Sequence, residues 1–127
     1  MVTFVKRIVL CLGLLVCVAV FSEAGQSTAG DPKQGKALYM NKCYGCHSVD
    51  ANRVGPMHRG VFGRKAGSVP GYAYSPALKA STVVWDQTSL DKWLTDPQKL
   101  IPGQKMNFTV DDQAERADII AYLKSVS

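Results

Sequence analysis

The stretch Cys43-Tyr44-Gly45-Cys46-His47 has the form C-x-x-C-H, with two thiols three residues apart and an imidazole directly after the second. In this spacing each thiol can form a thioether to one vinyl group of a single porphyrin, and the imidazole can bind the iron from one side of the ring. The other interpretations are a zinc half-site, a thioredoxin-like dithiol and a structural disulfide. We predict one haem c, covalently bound through Cys43 and Cys46, with His47 as an iron ligand.

The competing interpretations leave parts of the sequence unexplained. The two other cysteines, Cys11 and Cys17, lie in an apolar run near the N-terminus and are interpreted as ordinary apolar residues. A zinc site needs about two further ligands at a suitable spacing, but His58 is the only histidine outside the motif. A redox dithiol requires neither His47 nor an iron ligand further along the chain.

The first 24 residues are interpreted as a secretory signal peptide. The basic pair Lys6-Arg7 is followed by an uncharged apolar run over residues 8–21 and by Ser22-Glu23-Ala24, which places small residues before a cleavage point after Ala24. Cleavage after Ala29 and an uncleaved membrane anchor are the alternatives, although a spanning helix needs about 20 apolar residues. We therefore predict a domain of residues 25–127 in the periplasm or another exported location.

The composition is that of a small, mildly basic chain of 127 residues, with 15 Lys and Arg against 10 Asp and Glu and a formal net charge of +5. A domain of this size buries only a modest core, which a porphyrin would enlarge. No basic stripe interleaved with stacking aromatics is present, so we expect no nucleic-acid binding. A mildly basic exported protein suits docking to acidic patches on partners, and we expect a monomer.

The predicted fold is all-α, with three main helices and long loops wrapped around one covalent haem. Capping residues and prolines mark the helix ends. Residues 48–82 are rich in Gly, Pro and Ser and predict a long loop with one short helix at Pro76–Lys79, and Pro97–Asn107 predicts an irregular strap. The first main helix is predicted at Asp31–Cys43, with Asp31 as cap and Pro32 in the first turn, and the second at Thr88–Asp96, ended by Pro97. The last is predicted to start at Thr109, with Asp111 and Asp112 in the first turn. Its apolar stripe consists of Ile119, Tyr122 and Leu123.

A methionine is the expected second ligand, because His and Met together ligate the iron of many electron-carrying haems. Met40 lies three residues before Cys43, too close to reach the far side of the ring, and Met40 and Met57 are both interpreted as packing residues. Met106 lies on the strap, which can cross the far side of the ring. We therefore predict Met106 as the iron ligand, with His58 as the competing ligand and otherwise a loop residue near the ring edge.

Five further segments follow one another in a recognisable order: Gly35-Lys36-Ala37-Leu38-Tyr39, Gly55-Pro56, Gly60-Val61-Phe62-Gly63-Arg64-Lys65, Pro102-Gly103-Gln104-Lys105-Met106 and Asp118-Ile119-Ile120-Ala121-Tyr122-Leu123-Lys124. Together with C-x-x-C-H, they resemble the class I cytochromes c, specifically the mitochondrial-like group and its bacterial relatives, cytochromes c2 and c550. The resemblance covers about residues 30–127. It implies the small cytochrome c fold and a soluble one-electron carrier, not an enzyme.

The resemblance also implies roles for single residues. Gly35 and Tyr39 are implied to pack against the last helix, and the carbonyl of Pro56 to accept the Nδ1 proton of His47. Such an acceptor fixes the imidazole tautomer and strengthens its donation to iron. A buried propionate is costly unless it is paired, so donors near it are expected. The implied haem contacts are Arg64, Tyr74 and Trp85 at a propionate and Phe108 over the haem edge, although Tyr74 and Trp85 are alternatively plain core residues.

Three positions depart from the family's pattern. Trp93 stands where many relatives have a tyrosine that hydrogen-bonds the ligand sulfur, His58 stands where they have an apolar residue against the haem, and Leu78 replaces a frequent asparagine near the propionate. We expect these differences to tune potential and stability rather than to change the reaction.

Redox proteins are the expected partners, such as a cytochrome reductase, dehydrogenase, oxidase or peroxidase. Lys42 precedes Cys43, Lys105 precedes Met106 and Lys99 lies on the same strap, so a basic surface is expected at the haem edge. The alternative is a solvated basic face without a partner. The rival functions are a peroxidase-like enzyme and a gas sensor, which need an open iron position, and a permanently bound cytochrome subunit of a dehydrogenase.

Overall fold

A computed structural model describes residues 29–127, so the predicted signal peptide of residues 1–24 lies outside the described residues. The described chain forms α1 (Pro32–Lys42), α2 (Pro76–Ala80), α3 (Gln87–Thr95), α4 (Pro97–Leu100) and α5 (Gln113–Ser125). Its only β-pairing over this range is an isolated antiparallel bridge between Lys65 and Val84. The predicted all-α fold is confirmed. None of the helices between residues 29 and 127 has the length and apolar character to cross a membrane.

The ends of α1 follow from local chemistry. The side chain of Asp31 accepts hydrogen bonds from the backbone N–H groups of Lys33 and Gln34, and Pro32 occupies the first turn, where its missing N–H costs nothing. The N–H of Cys43 still bonds to the carbonyl of Tyr39, but Cys43 is already the C-cap. The predicted helix is therefore correct to within one residue at either end.

Helix α3 is also close to its prediction, but the strap that follows is not wholly irregular. Asp86 and Ser89 form a reciprocal capping box that starts α3. Pro97 ends α3 as predicted, yet it also begins α4, because the side chain of Asp96 accepts from the N–H of Lys99 and caps the new turn. The prediction of an irregular segment over Pro97–Asn107 is wrong for these first four residues.

The predicted start of the last helix at Thr109 is wrong. Helix α5 begins at Gln113, and Asp112 is its N-cap, accepting from the N–H of Glu115. The backbone before α5 is not helical, and the N–H of Val110 bonds instead to the carbonyl of Leu94 at 2.8 Å. Asp111 therefore lies before the helix rather than in its first turn.

Helices α1 and α5 cross in direct contact, as the resemblance implied. A Cβ at Gly35 would come within 1.9 Å of the carbonyl oxygen of Asp118, so only glycine permits this approach. The ring centroids of Tyr39 and Tyr122 are 5.2 Å apart beside the crossing. Ile119 and Leu123 are buried in the core that the two helices share. The helices thus form a fixed frame on one side of the central cavity.

Candidate functional site

A cavity of about 520 Å³ lies between the helices and the long loop. Its volume is typical of pockets that hold a small molecule or cofactor, about 300–1,000 Å³. The structure brings all nine predicted site residues to its walls, although they come from most of the described chain. These residues are Cys43, Cys46, His47, Pro56, Arg64, Tyr74, Trp85, Met106 and Phe108.

The imidazole of His47 is fixed from behind by backbone. Its Nδ1 lies 2.9 Å from the carbonyl oxygen of Pro56, and because a carbonyl can only accept, Nδ1 carries the proton and Nε2 keeps its lone pair. Burial lowers the pKa of His47, against the opposing effect of the bond to Pro56, so the ring is neutral, as a metal ligand must be. Gly55 makes room for the ring, since a Cβ there would come within 2.1 Å of His47 Cε1.

The two cysteines lie in the turn that follows α1. The N–H of His47 bonds to the carbonyl of Cys43 at 2.9 Å, and the N–H of Gly55 bonds to the carbonyl of Cys46 at 2.8 Å. Both thiols are unpaired rather than joined in a disulfide. Burial raises the pKa of the Cys43 thiol to about 11, whereas redox dithiols depend on a lowered thiol pKa. The turn therefore favours cofactor attachment over dithiol chemistry.

No cluster that suits a zinc ion occurs in the described part of the chain, where no three His, Cys, Asp or Glu side chains converge as a metal site. His58, the one other histidine, is engaged with aromatic rings instead. The geometry thus gives no support to the zinc half-site interpretation.

Arg64 lies beside the isolated bridge that pairs Lys65 with Val84. Backbone bonds beside this bridge pair Arg64 with Trp85, whose N–H donates to the Arg64 carbonyl at 2.9 Å. The guanidinium of Arg64 donates to the carbonyls of Arg59 and Met57, at 2.8 and 2.9 Å. These bonds hold a cationic side chain at the wall of the cavity.

Tyr74 brings a hydroxyl to the same cavity. The hydroxyl oxygen accepts from the N–H of Val69 at 3.3 Å, and a hydroxyl that accepts in this way keeps its own proton for a further acceptor. Burial, the largest cause, raises the pKa of Tyr74, which keeps it a neutral donor. Trp85 packs edge-on against Trp93 with a centroid distance of 5.2 Å. Trp85 thus combines a packing contact with access to the cavity, and Tyr74 brings a hydrogen-bond donor to it.

The three methionines occupy different positions. Met106 lines the cavity, on the strap that turns at Gly103 with a φ of +88°. Met57 contributes its carbonyl to Arg64. Met40 is 48% exposed on α1, so its interpretation as a packing residue is wrong. It lies on the solvent face of a helix whose buried residues are Gly35 and Tyr39.

His58 lies directly beside His47 rather than only at the cavity edge. The two imidazoles stack with a centroid distance of 4.1 Å and an interplanar angle of 18°. The Nδ1 of His58 lies 3.0 Å from the hydroxyl of Tyr39. Burial is the largest cause that lowers the pKa of His58 well below its ordinary value, so the ring is neutral. A histidine is therefore tolerated at a position where an apolar residue was expected.

The other two departures also lie at the cavity. Trp93 is buried among its walls, and Leu78 lines it from α2. The backbone of Leu78 also explains why residue 67 is a glycine, because a Cβ at that position would come within 2.3 Å of the Leu78 carbonyl oxygen.

A sequence model of cytochrome c matches residues 32–127. The chain belongs to the cytochrome c family. This confirms the resemblance to class I cytochromes c that the motifs indicated. It also shows a one-electron carrier with a single haem, not an enzyme.

Known cytochromes c match nearly over their whole length. Cytochrome c of Euglena viridis is 45% identical over 100 residues, which cover 76% of this chain and 98% of the relative. Cytochrome c2 of Rhodomicrobium vannielii is 41% identical over 113 residues, covering 86% and 90%. The solved structure of cytochrome cH from Methylobacterium extorquens superposes with a TM-score of 0.72 at 47% identity, covering 76% of this chain and 99% of that one.

The residues of this cytochrome c fit a covalent haem c. Cys43 and Cys46 are the attachment pair, and the cavity that they line is largely apolar, with Arg64 and Tyr74 among the polar residues of its wall. Bound haem supplies an iron that alternates between the ferric and ferrous states. The chain itself attaches the porphyrin and keeps the His47 imidazole in one tautomer.

Arg53 is one residue of this cytochrome c that the sequence did not single out. Its guanidinium donates to the carbonyl of Tyr44 at 2.7 Å and lies 5.0 Å from the centre of the Tyr44 ring. It also reaches the carbonyl of His47 at 3.4 Å. Arg53, in the loop that follows the attachment turn, thus packs against that turn. No local sequence pattern around position 53 indicates such a contact.

The three predicted docking lysines differ in position. Lys42 and Lys105 both line the cavity, whereas Lys99 is exposed on α4 and is not one of the lining residues. Lys42 also forms an ion pair with Glu115, with 2.9 Å between Nζ and Oε2. Of the two predicted docking lysines that line the cavity, Lys42 therefore already has its charge paired.

Proposed function

We propose that this chain is an exported, soluble carrier whose haem iron is ligated by His47 and Met106. The observation that carries the proposal is that His47, Met106 and both attachment cysteines face one cavity. The hydrogen bond from His47 Nδ1 to Pro56 supports the first ligand, because it leaves Nε2 available for iron. The position of Met106 on the strap supports the second.

This ligand pair suits transfer of electrons rather than catalysis on a substrate. A thioether is soft and neutral, so it favours ferrous iron and raises the reduction potential. With His47 and Met106 both as ligands, the iron would have no open position for oxygen, peroxide or another small ligand. Phe108, 40% exposed where it lines the cavity, covers an edge through which electrons would pass. Arg64, Tyr74 and Trp85 are proposed to pair with a propionate.

Removal of Met106 tests the ligand assignment. Met106→Ala should abolish the weak far-red absorption band of ferric methionine ligation and open the ferrous iron to carbon monoxide at neutral pH. His58→Leu is the matched control and should leave both properties intact. A far-red band that survives in Met106→Ala would rule out this ligand, and loss of the low-spin spectrum in His58→Leu would make His58 the ligand instead.

The export half of the proposal rests on the leader sequence. Lys6-Arg7, the apolar run and Ser22-Glu23-Ala24 support cleavage after Ala24. Mass spectrometry of the protein purified from its native host should show a chain that starts at Gly25. A chain that still contains Met1 and is recovered with the membranes would favour a retained anchor.

Reduction by one redox protein and oxidation by another complete the proposed role, with a reductase or dehydrogenase as donor and an oxidase or peroxidase as acceptor. Lys105 and Lys42 line the cavity, which supports docking at its edge. Lys99, exposed on α4, would extend the basic surface. Opposite charges on a partner would raise the rate of encounter.

A further inference from the structure

The side chain of Gln104 is folded back onto the backbone of Met106. Its Oε1 accepts from the N–H of Met106, and its Nε2 donates to the carbonyl of Met106 at 2.9 Å. Gln104 is only 4% exposed, and Met106 lines the cavity whereas Gln104 does not. One buried amide therefore satisfies both backbone groups of Met106 from outside the cavity.

A second glutamine links this unit to helix α4. The Oε1 of Gln98 accepts from the N–H of Gly103 at 3.1 Å, and its Nε2 donates to the carbonyl of Gln104 at 3.1 Å. Gln98 thus stabilises the turn of the strap at Gly103, and Gln104 stabilises the backbone of Met106, which follows this turn and lines the cavity. The two side chains therefore form a continuous series of hydrogen bonds that links α4 to the backbone of Met106.

We propose that Gln98 and Gln104 are positioning residues that keep the strap closed and so set how firmly Met106 holds its place over the iron. The inference rests on the proposed ligation by Met106. Neither glutamine touches the cavity, so both act through the backbone that carries the thioether.

The chemistry of the amide explains why glutamine suits this place. A primary amide offers an acceptor and a donor on one planar group, whereas glutamate lacks the donor, lysine lacks the acceptor and leucine lacks both. Without the amide of Gln104, the N–H and carbonyl of Met106 lose buried partners and gain by turning toward water. The strap would then open more often, and the iron would be accessible for a larger fraction of the time.

Titration of the purified ferric holoprotein with imidazole measures that fraction. The apparent affinity of a ligand that binds only the open form rises in proportion to the open population. Gln104→Leu should bind imidazole about tenfold more tightly than the wild type, a factor that corresponds to about 1.4 kcal/mol. Its far-red band should weaken at the same time. Gln34→Ala, a change at an exposed position on α1, is the matched control and should leave the affinity unchanged.

Gln98 provides a second test at an exposed position, where the variant is expected to fold even if Gln104→Leu does not. Gln98→Ala should raise imidazole affinity less than Gln104→Leu does. Gln98→Glu, which keeps the acceptor for Gly103 but loses the donor to Gln104, should fall between wild type and Gln98→Ala. Because the two side chains act in series, the effects of Gln98→Ala and Gln104→Leu in the double variant should not add.

The outcomes separate this inference from the ligand assignment. If Met106→Ala binds imidazole tightly while both glutamine variants keep wild-type affinity, Met106 remains the ligand and the positioning role is wrong. A lower urea midpoint in these variants without any change in affinity would also overturn it, because the glutamines would then be merely structural. If Met106→Ala keeps its far-red band, the ligand assignment fails and this inference fails with it.

Discussion

The hydroxyl of Tyr39 and Nδ1 of His58 lie 3.0 Å apart and share a hydrogen bond beside the ring of His47. Tyr39 is 1% exposed, and the ring of His58 stacks on that of His47. A polar group this deeply buried is costly unless it has a partner. The pair therefore explains how His58 occupies a place where an apolar side chain was expected, since each residue satisfies the other.

A double-mutant cycle should reveal this mutual dependence. Tyr39→Phe and His58→Leu should each lower the free energy of unfolding of the holoprotein by about 1–3 kcal/mol, because each leaves the buried polar atom of the other residue without a hydrogen-bond partner. The double variant, which removes both polar atoms, should be less destabilised than the sum of the two single variants. Urea unfolding followed by haem absorbance measures all four proteins, and strictly additive losses would mean that the two residues act independently.

Gly35→Ala should destabilise the fold through the contact between α1 and α5. The added Cβ would meet the Asp118 carbonyl at 1.9 Å, and because that atom belongs to a helix backbone, the helices must separate. We expect a loss of about 1–3 kcal/mol or more in urea unfolding. Gly45→Ala is the matched control, since a Cβ there meets no atom within 4 Å. Equal stability of the two variants would contradict the close approach.

Electron transfer to an acidic partner protein should slow steeply as ionic strength rises, because charges at the cavity edge are screened over about 8–10 Å. Lys105→Glu should reduce the association rate more than Lys42→Glu, since Glu115 already offsets the charge of Lys42. Both should exceed the effect of Lys124→Glu, which alters a lysine that rests over the ring of Phe62. Stopped-flow rates at several salt concentrations provide the measurement.

Two results would contradict docking through these lysines. One is a set of rates that do not depend on salt, and the other is an effect of Lys124→Glu as large as that of Lys105→Glu. In either case an apolar contact around Phe108, which is 40% exposed, would account better for partner binding.

The cap of α3 should contribute to stability in a pH-dependent way. Backbone and side-chain hydrogen bonds from Ser89 hold the pKa of Asp86 below its ordinary value of 3.8. Because the folded-state pKa is the lower one, the stabilisation is fully present above about pH 4 and is lost as the pH falls through the folded-state pKa. Asp86→Asn should therefore lower the urea midpoint at neutral pH and converge with wild type in acid. A difference that stays constant from neutral to strongly acidic pH would argue against this carboxylate as the cause.

Much of the fold could be predicted because the signals are local. The start of α1 follows from the capping carboxylate of Asp31 and from Pro32 in the first turn, and α3 lies between its cap Asp86 and Pro97, which follows its end. The start of α5 could not be chosen in this way, because Thr109, Asp111 and Asp112 are all acceptable caps. The bond from the N–H of Val110 to the carbonyl of Leu94 rules out Thr109, and a contact between such distant residues leaves no trace in either local sequence.

The sequence by itself determined the attachment turn, the neighbouring imidazole and the family, because these depend on residue types at fixed short spacings. Only the tertiary structure decided which side chains support that turn and the strap. Tyr39 reaches His58, Arg53 reaches the carbonyl of Tyr44, and Gln104 folds back onto Met106. Such contacts depend on where the chain returns in space and on the rotamer that packing permits, and the short motifs specify neither.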